Sequence, residues 1–143
     1  MTLTHTQKTK AAKPGMTLIE LTVVILVLLS LISILFVGAR AWKRGSDRAA
    51  SILEIRNVQQ AVRSFQNINN YNPGDAGVIG AADIFGPDAF IAVNPTTEGH
   101  PAGTAYSYAI AAPTDCPALS TLYMTVTGGL DASYYMPADI TGW

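Results

Sequence analysis

An α+β fold, with one long N-terminal helix (a transmembrane half plus an amphipathic half) packed on a small antiparallel β-sheet head, is predicted by three features of this 143-residue chain. From Met16 to Val37 the sequence is Leu, Ile and Val with scattered Thr and Ser, and Glu20 is its one charged residue. No proline stands between Pro14 and Pro73, so nothing interrupts a helix over that interval. Seven of the eight prolines (Pro73, Pro87, Pro95, Pro101, Pro113, Pro117 and Pro137) lie in the remainder, which rules out long regular elements there.

The elements follow in chain order. Residues 1–15 carry Lys8, Lys10 and Lys13, have no hydrophobic period and end in Pro14-Gly15, which reads as a basic leader. Residues 16–38 carry a predominantly apolar stretch of about 22 residues, enough at about 1.5 Å each to cross the hydrocarbon layer as a helix. Residues 39–71 continue that helix with a different face. Ile52, Ile55, Val58 or Gln59, Val62, Phe65 and Ile68 or Asn69 recur at spacings of three and four, and Glu54, Arg56, Gln60, Arg63 and Asn67 make the opposite, solvated face. Asn69 to Asp75 supplies stop and turn residues, so one helix of roughly 80 Å is expected from Thr17 to Asn69. Residues 72–143 form a loop-rich head with a helical turn at 81–85. Strands are expected at 105–111 and 121–127 as an antiparallel hairpin, with a weaker third strand at 133–136. So few short strands make a marginal core alone, and packing against the stripe from Ile52 to Ile68 is physically required.

Charge is segregated although the net value is only −1. All nine Lys and Arg precede residue 64, while Asp75, Asp83, Asp88, Glu98, Asp115, Asp131 and Asp139 follow it with no cation among them. Such separation lets the basic helix of one copy attract the acidic head of another, with a solvated acidic surface as the plainer reading. It also argues against direct nucleic-acid binding, which needs a basic patch. Cys116 is the lone cysteine, so an intramolecular disulfide is excluded, and with no base nearby it reads as a packing residue. His5 sits in the leader and His100 in a loop, no catalytic constellation or phosphate loop is present, and an enzyme is not expected. His100 reads as a solvated loop residue, Trp42 as an interfacial anchor, and the tyrosines as packing for a small sheet.

The chemistry concentrates at Gly15-Met16-Thr17-Leu18-Ile19-Glu20, where a carboxylate stands inside an apolar run at a cost of at least a few kcal/mol if it stays unpaired in lipid. A basic leader ending in glycine before this hexapeptide resembles the class III signal of type IV pilins and type II secretion pseudopilins. The resemblance is close over residues 13–37 and looser over the whole chain. It implies a pilin-like fold, cleavage by prepilin peptidase between Gly15 and Met16, N-methylation of Met16, and a role for Glu20, then the fifth residue, in filament assembly. It further implies a precursor that spans the inner membrane once, leader in the cytoplasm and head in the periplasm. Lipid surrounds the helix before an inner-membrane assembly platform draws it into a periplasmic or extracellular filament of identical copies.

Met16 departs from the phenylalanine commoner at that position, and the missing cysteine pair leans toward a pseudopilin or a minimal pilin. No cofactor or metal ligand is assigned. Calcium occurs in some heads of this family, but Asp131 and Asp139 lack dense, regular oxygen spacing and read as solvated carboxylates. A competing reading takes Ala39-Arg40-Ala41 as a secretory cleavage site that releases a small binding domain at Trp42, or takes the helix as a plain signal anchor. In neither case would the protein polymerise. The apolar run is longer than a signal-peptide core, contains an acid, and is followed by an Arg at the cut, while a plain anchor leaves Glu20 without a purpose.

Overall fold

The computed structural model describes residues 15–110, 112–129 and 131–143. The leader residues Lys8, Lys10, Lys13 and Pro14, together with His5 and Ala111, lie outside the described residues. The described residues divide into two compact units, the first ending at Arg40 and the second beginning at Ala41. The coarse class is α+β, with one long N-terminal apolar helix and a two-stranded antiparallel sheet.

Helix α1 is Leu18–Asn69, 52 residues. In the first unit its side chains are exposed throughout: Leu18, Val24, Leu29, Ile34 and Val37 retain between 51% and 82% of their accessible surface. Ser30 and Ser33 turn their hydroxyls onto the carbonyls of Val27 and Leu29, which satisfies them inside the helix and leaves its outer surface apolar. This is the one helix among the described residues that is long and apolar enough to cross a membrane.

In the second unit α1 buries Ser51, Ile55, Val58, Gln59, Ala61, Val62 and Gln66, a stripe at helical spacing. Ile55, Val58 and Val62 are at most 1% exposed, and each contributes about 1.5–3 kcal/mol by leaving water. The expected stripe is correct at its centre and wrong at its end, because Ile68 is 69% exposed. The helix stops there in a Schellman turn: Asn70 takes φ 56°, the Tyr71 N–H donates to the Gln66 carbonyl at 3.0 Å, and the Tyr71 ring closes on Phe65 at 6.0 Å. Tyr71 thereby takes the packing position that an apolar residue in the last turn would have filled.

The head builds on that stripe. Helix α2, Ala81–Ile84, is the expected helical turn and delivers Ile84 to the core. Strands β1, Ala105–Tyr108, and β2, Met124–Thr127, pair antiparallel with Tyr106 opposite Val126 and Tyr108 opposite Met124. Tyr106, Leu122, Tyr123, Met124 and Val126 join Ile55, Val58 and Val62 in one core cluster that also takes in Ile79, Cys116 and Tyr135.

Both strands are shorter than the sequence pattern suggests, and for β2 the reason is Gln59. Its amide nitrogen donates to the Thr121 carbonyl at 3.0 Å and its carbonyl accepts the Tyr123 N–H at 2.8 Å, so a helix side chain replaces the ladder where β2 would have begun. The third strand does not form. Residues Ala132–Tyr135 wind into a 3-10 turn whose Tyr135 carbonyl accepts the Ser51 hydroxyl. The Val126 N–H and the Thr125 hydroxyl, where a third strand would pair, donate to the Met136 sulfur at 3.2 and 3.1 Å.

Candidate functional site

At the start of α1 a reciprocal pair of hydrogen bonds defines the helix cap. The Glu20 carboxylate accepts from the Thr17 N–H at 2.7 Å and from the Thr17 hydroxyl at 2.8 Å, and the Glu20 N–H donates back to that hydroxyl at 3.3 Å. This is a capping box, Thr-x-x-Glu, which satisfies two N–H groups that a helix terminus otherwise leaves unpaired. Thr17 was absent from the sequence-derived site, although the Thr17/Glu20 spacing carries the signal. Met16, just before the cap, is 72% exposed. A Cβ at Gly15 would meet nothing within 4 Å, so no packing contact among the described residues demands glycine there. Glu20 therefore combines a local duty, closing the cap, with its position as the one carboxylate beside an uncovered apolar surface.

In the second unit the structure moves two residues, His100 and Arg63, away from their expected surroundings. His100 is 3% exposed rather than solvated. Its ring packs edge-on against Tyr106 at 4.8 Å and Tyr135 at 5.0 Å, and its Nδ1 accepts the Ala102 N–H at 3.1 Å. That bond assigns the proton of the neutral ring to Nε2, which is buried with no partner among the described residues. Burial lowers the His100 pKa below its ordinary 6.5, partly offset by the negative charge of Asp47.

The direction of the pH effect follows. As pH falls below about 6.5 the unfolded chain takes up a proton that the folded head refuses, so stability declines until the folded pKa is reached and then levels. The melting temperature of the full chain in detergent is expected to drop between pH 7 and pH 5, and His100→Phe, which keeps the ring packing, should flatten that drop. An unchanged pH profile in the variant would remove His100 as its cause.

Arg63 was expected on the solvated face and instead ties α1 to two loops. One terminal nitrogen donates to the Gln66 side chain at 3.0 Å and the Pro117 carbonyl at 2.9 Å, and the other reaches the carbonyls of Ala118 at 2.9 Å and Trp143 at 3.1 Å. A planar guanidinium with several donors suits carbonyls that have no partner in a sheet. Asp131, weighed for calcium, pairs with Arg44 at 2.9 Å, and Asp139 accepts the N–H and hydroxyl of Thr141. Arg44 and Arg48 both lie over the Tyr134 ring, at 4.5 and 4.9 Å. Cys116 is buried at 3% exposure, as a packing residue should be, while Trp42 is 77% exposed. Among the described residues no three His, Cys, Asp or Glu side chains gather where they could hold a metal ion.

Several open grooves line the sides of α1 in this unit, and two of them differ in charge. One, of about 700 Å³, is bounded by Arg56, Gln60, Arg63, Asn67, Thr141 and Trp143. The other, of about 420 Å³, is bounded by Glu54, Val93, Pro95, Glu98 and Tyr106 among others. No family model, curated protein or solved structure matches the chain.

Proposed function

We propose that the chain is a structural, non-catalytic subunit of a type IV pilus-like or type II secretion pseudopilus filament. In this reading prepilin peptidase removes the leader after Gly15, Met16 becomes the N-methylated first residue, and the inner-membrane assembly platform transfers α1 from lipid into the filament core. The observation that carries the proposal is the first half of α1: among the described residues none of its apolar stretch is buried, and one carboxylate, Glu20, stands at its beginning. An apolar surface of that size needs lipid or other protein against it. Lipid alone leaves Glu20 costly, whereas the α-amine freed at Met16 of a neighbouring copy gives it an opposite charge in a dry helix bundle. Gly15, which no contact among the described residues requires, is accounted for by a peptidase pocket that admits no side chain.

The testing experiment is mass spectrometry of the N-terminus of the protein recovered from cells that carry a prepilin peptidase, with peptidase-deficient cells as control. A chain that starts at Met16 bearing one added methyl group is expected, and the full leader should persist in the control. A mature N-terminus at Trp42, or a retained leader in both strains, overturns the reading.

A further inference from the structure

The two grooves on the head are electrical opposites. The larger holds Arg56 and Arg63 and no acidic side chain. The smaller holds Glu54 and Glu98 and no cation. Ion pairing inside the chain does not neutralise them: the ion pairs among the described residues are Lys43–Asp47 and Arg44–Asp131, which lie elsewhere. Arg56 keeps its guanidinium 4.9 Å over the Trp143 ring, which holds the charge at the groove without hydrogen-bonding it away.

The grooves also face different ways. Residues 54 and 56 are separated by about 200° around a helix of 3.6 residues per turn, whereas 56 and 63 fall within about 20° of each other. One copy therefore cannot bring its own Arg56 to its own Glu54, but a second copy can present one groove to the other. We propose that these grooves are the two halves of a heterologous contact between the heads of successive copies of this chain, with Arg56 of one copy meeting Glu98 and Glu54 of the next. The partner is a second copy because the sequence supplies the complement: every cation precedes residue 64, and the seven acids after it have no cation among them.

Two different surfaces in contact make a head-to-tail arrangement, which propagates as an open helical array unless the rotation closes a ring. The contact thus deepens the filament reading and rests on it. Apolar side chains add to it, since Val93, at the rim of the acidic groove, is 49% exposed and stands ready to receive the Trp143 side of the neighbour.

A charge swap in the full chain tests this. Filament yield and formaldehyde-crosslinked multimers in membranes are measured for Arg56→Glu, Glu98→Arg and the double variant. Each single change sets like charges against each other and is expected to cut multimers about tenfold, while the double variant should recover them. If Arg56→Glu lowers the melting temperature of the head, the neutral pair Arg56→Gln and Glu98→Gln replaces it, and the double must then be no worse than the worse single. Wild-type multimers in both singles, or additive losses in the double, overturn the contact. Should Glu20→Gln abolish filaments while the charge reversals leave them intact, the filament reading stands and this contact falls. A wild-type chain that yields no multimers removes both.

Discussion

Glu20→Gln is expected to abolish filament assembly while leaving the start of α1 intact. Gln serves as well as Glu at the third helical position of a capping box, because its side-chain carbonyl can accept the Thr17 N–H that the carboxylate accepts at 2.7 Å. Charge is what it lacks. Glu20→Ala removes the charge and the side-chain half of the box: the Thr17 N–H loses its acceptor, while the backbone N–H of residue 20 keeps the Thr17 hydroxyl, so the first turn is loosened. Comparing the two variants separates two roles that one side chain performs. If the carboxylate pairs with the Met16 amine of the next copy, losing it leaves a cation unpaired in the bundle. That penalty, about 2.5–3.5 kcal/mol for a centrally placed charge, is roughly 60- to 300-fold in association at each addition. Both variants should then insert, lose the leader and remain in the membrane fraction, with filaments reduced by at least about sixtyfold. Wild-type yield from Glu20→Gln together with failure of Glu20→Ala would assign Glu20 to the cap alone.

That distinction was only half visible in the sequence. A lone acid in an apolar run marks itself by its cost, and Glu20 was singled out for that reason. Its hydrogen bonds to Thr17 are a local matter of spacing and were equally readable, yet the cost of the charge drew the reading toward a remote partner. The length of α1 was legible because helical periodicity and the missing prolines are both local properties of the chain. Less legible was every feature that depends on one donor meeting one carbonyl far away in sequence. Arg63 looks like a solvated cation until the Pro117, Ala118 and Trp143 carbonyls converge on it across 54, 55 and 80 residues.

The same blindness explains His100 and the sheet. Nothing beside His100 in Gly99-His100-Pro101 announces that Tyr106 and Tyr135 will enclose it. Ser133 to Met136 has the composition of a strand, but Tyr135 is drawn toward Ser51, and the Met136 sulfur occupies the N–H of Val126 where a third strand would pair. Strand composition states a preference for pleated, half-buried surroundings, and tertiary partners decide whether those surroundings exist.

Gln59→Leu is expected to destabilise the head by about 2–3 kcal/mol, which for a domain near 100 residues lowers the melting temperature by roughly 10–20 °C. Gln59 is 3% exposed, and its amide is the sole bridge from α1 to the start of β2 among the described hydrogen bonds. Leucine matches its volume and would gain by burial, so loss of packing is not the cause. The cost comes from the Tyr123 N–H, which is buried and left without an acceptor, and to a lesser degree from the Thr121 carbonyl, whose residue is exposed and can turn to water. The identical change at Gln60, one residue on and exposed, makes no such orphan and should alter stability by less than about 0.5 kcal/mol. Thermal unfolding of the full-length variants in detergent gives the comparison, and amide exchange locates it, since the Tyr123 N–H should lose protection in Gln59→Leu before the β1–β2 ladder does. Equal melting temperatures for the two leucine variants would show that the ladder, not Gln59, positions β2. The filament reading raises the stakes of this bond: β2 lies in the same core cluster as Tyr106, which borders the acidic groove, so loosening β2 should weaken contact between copies even with Glu54 and Glu98 intact.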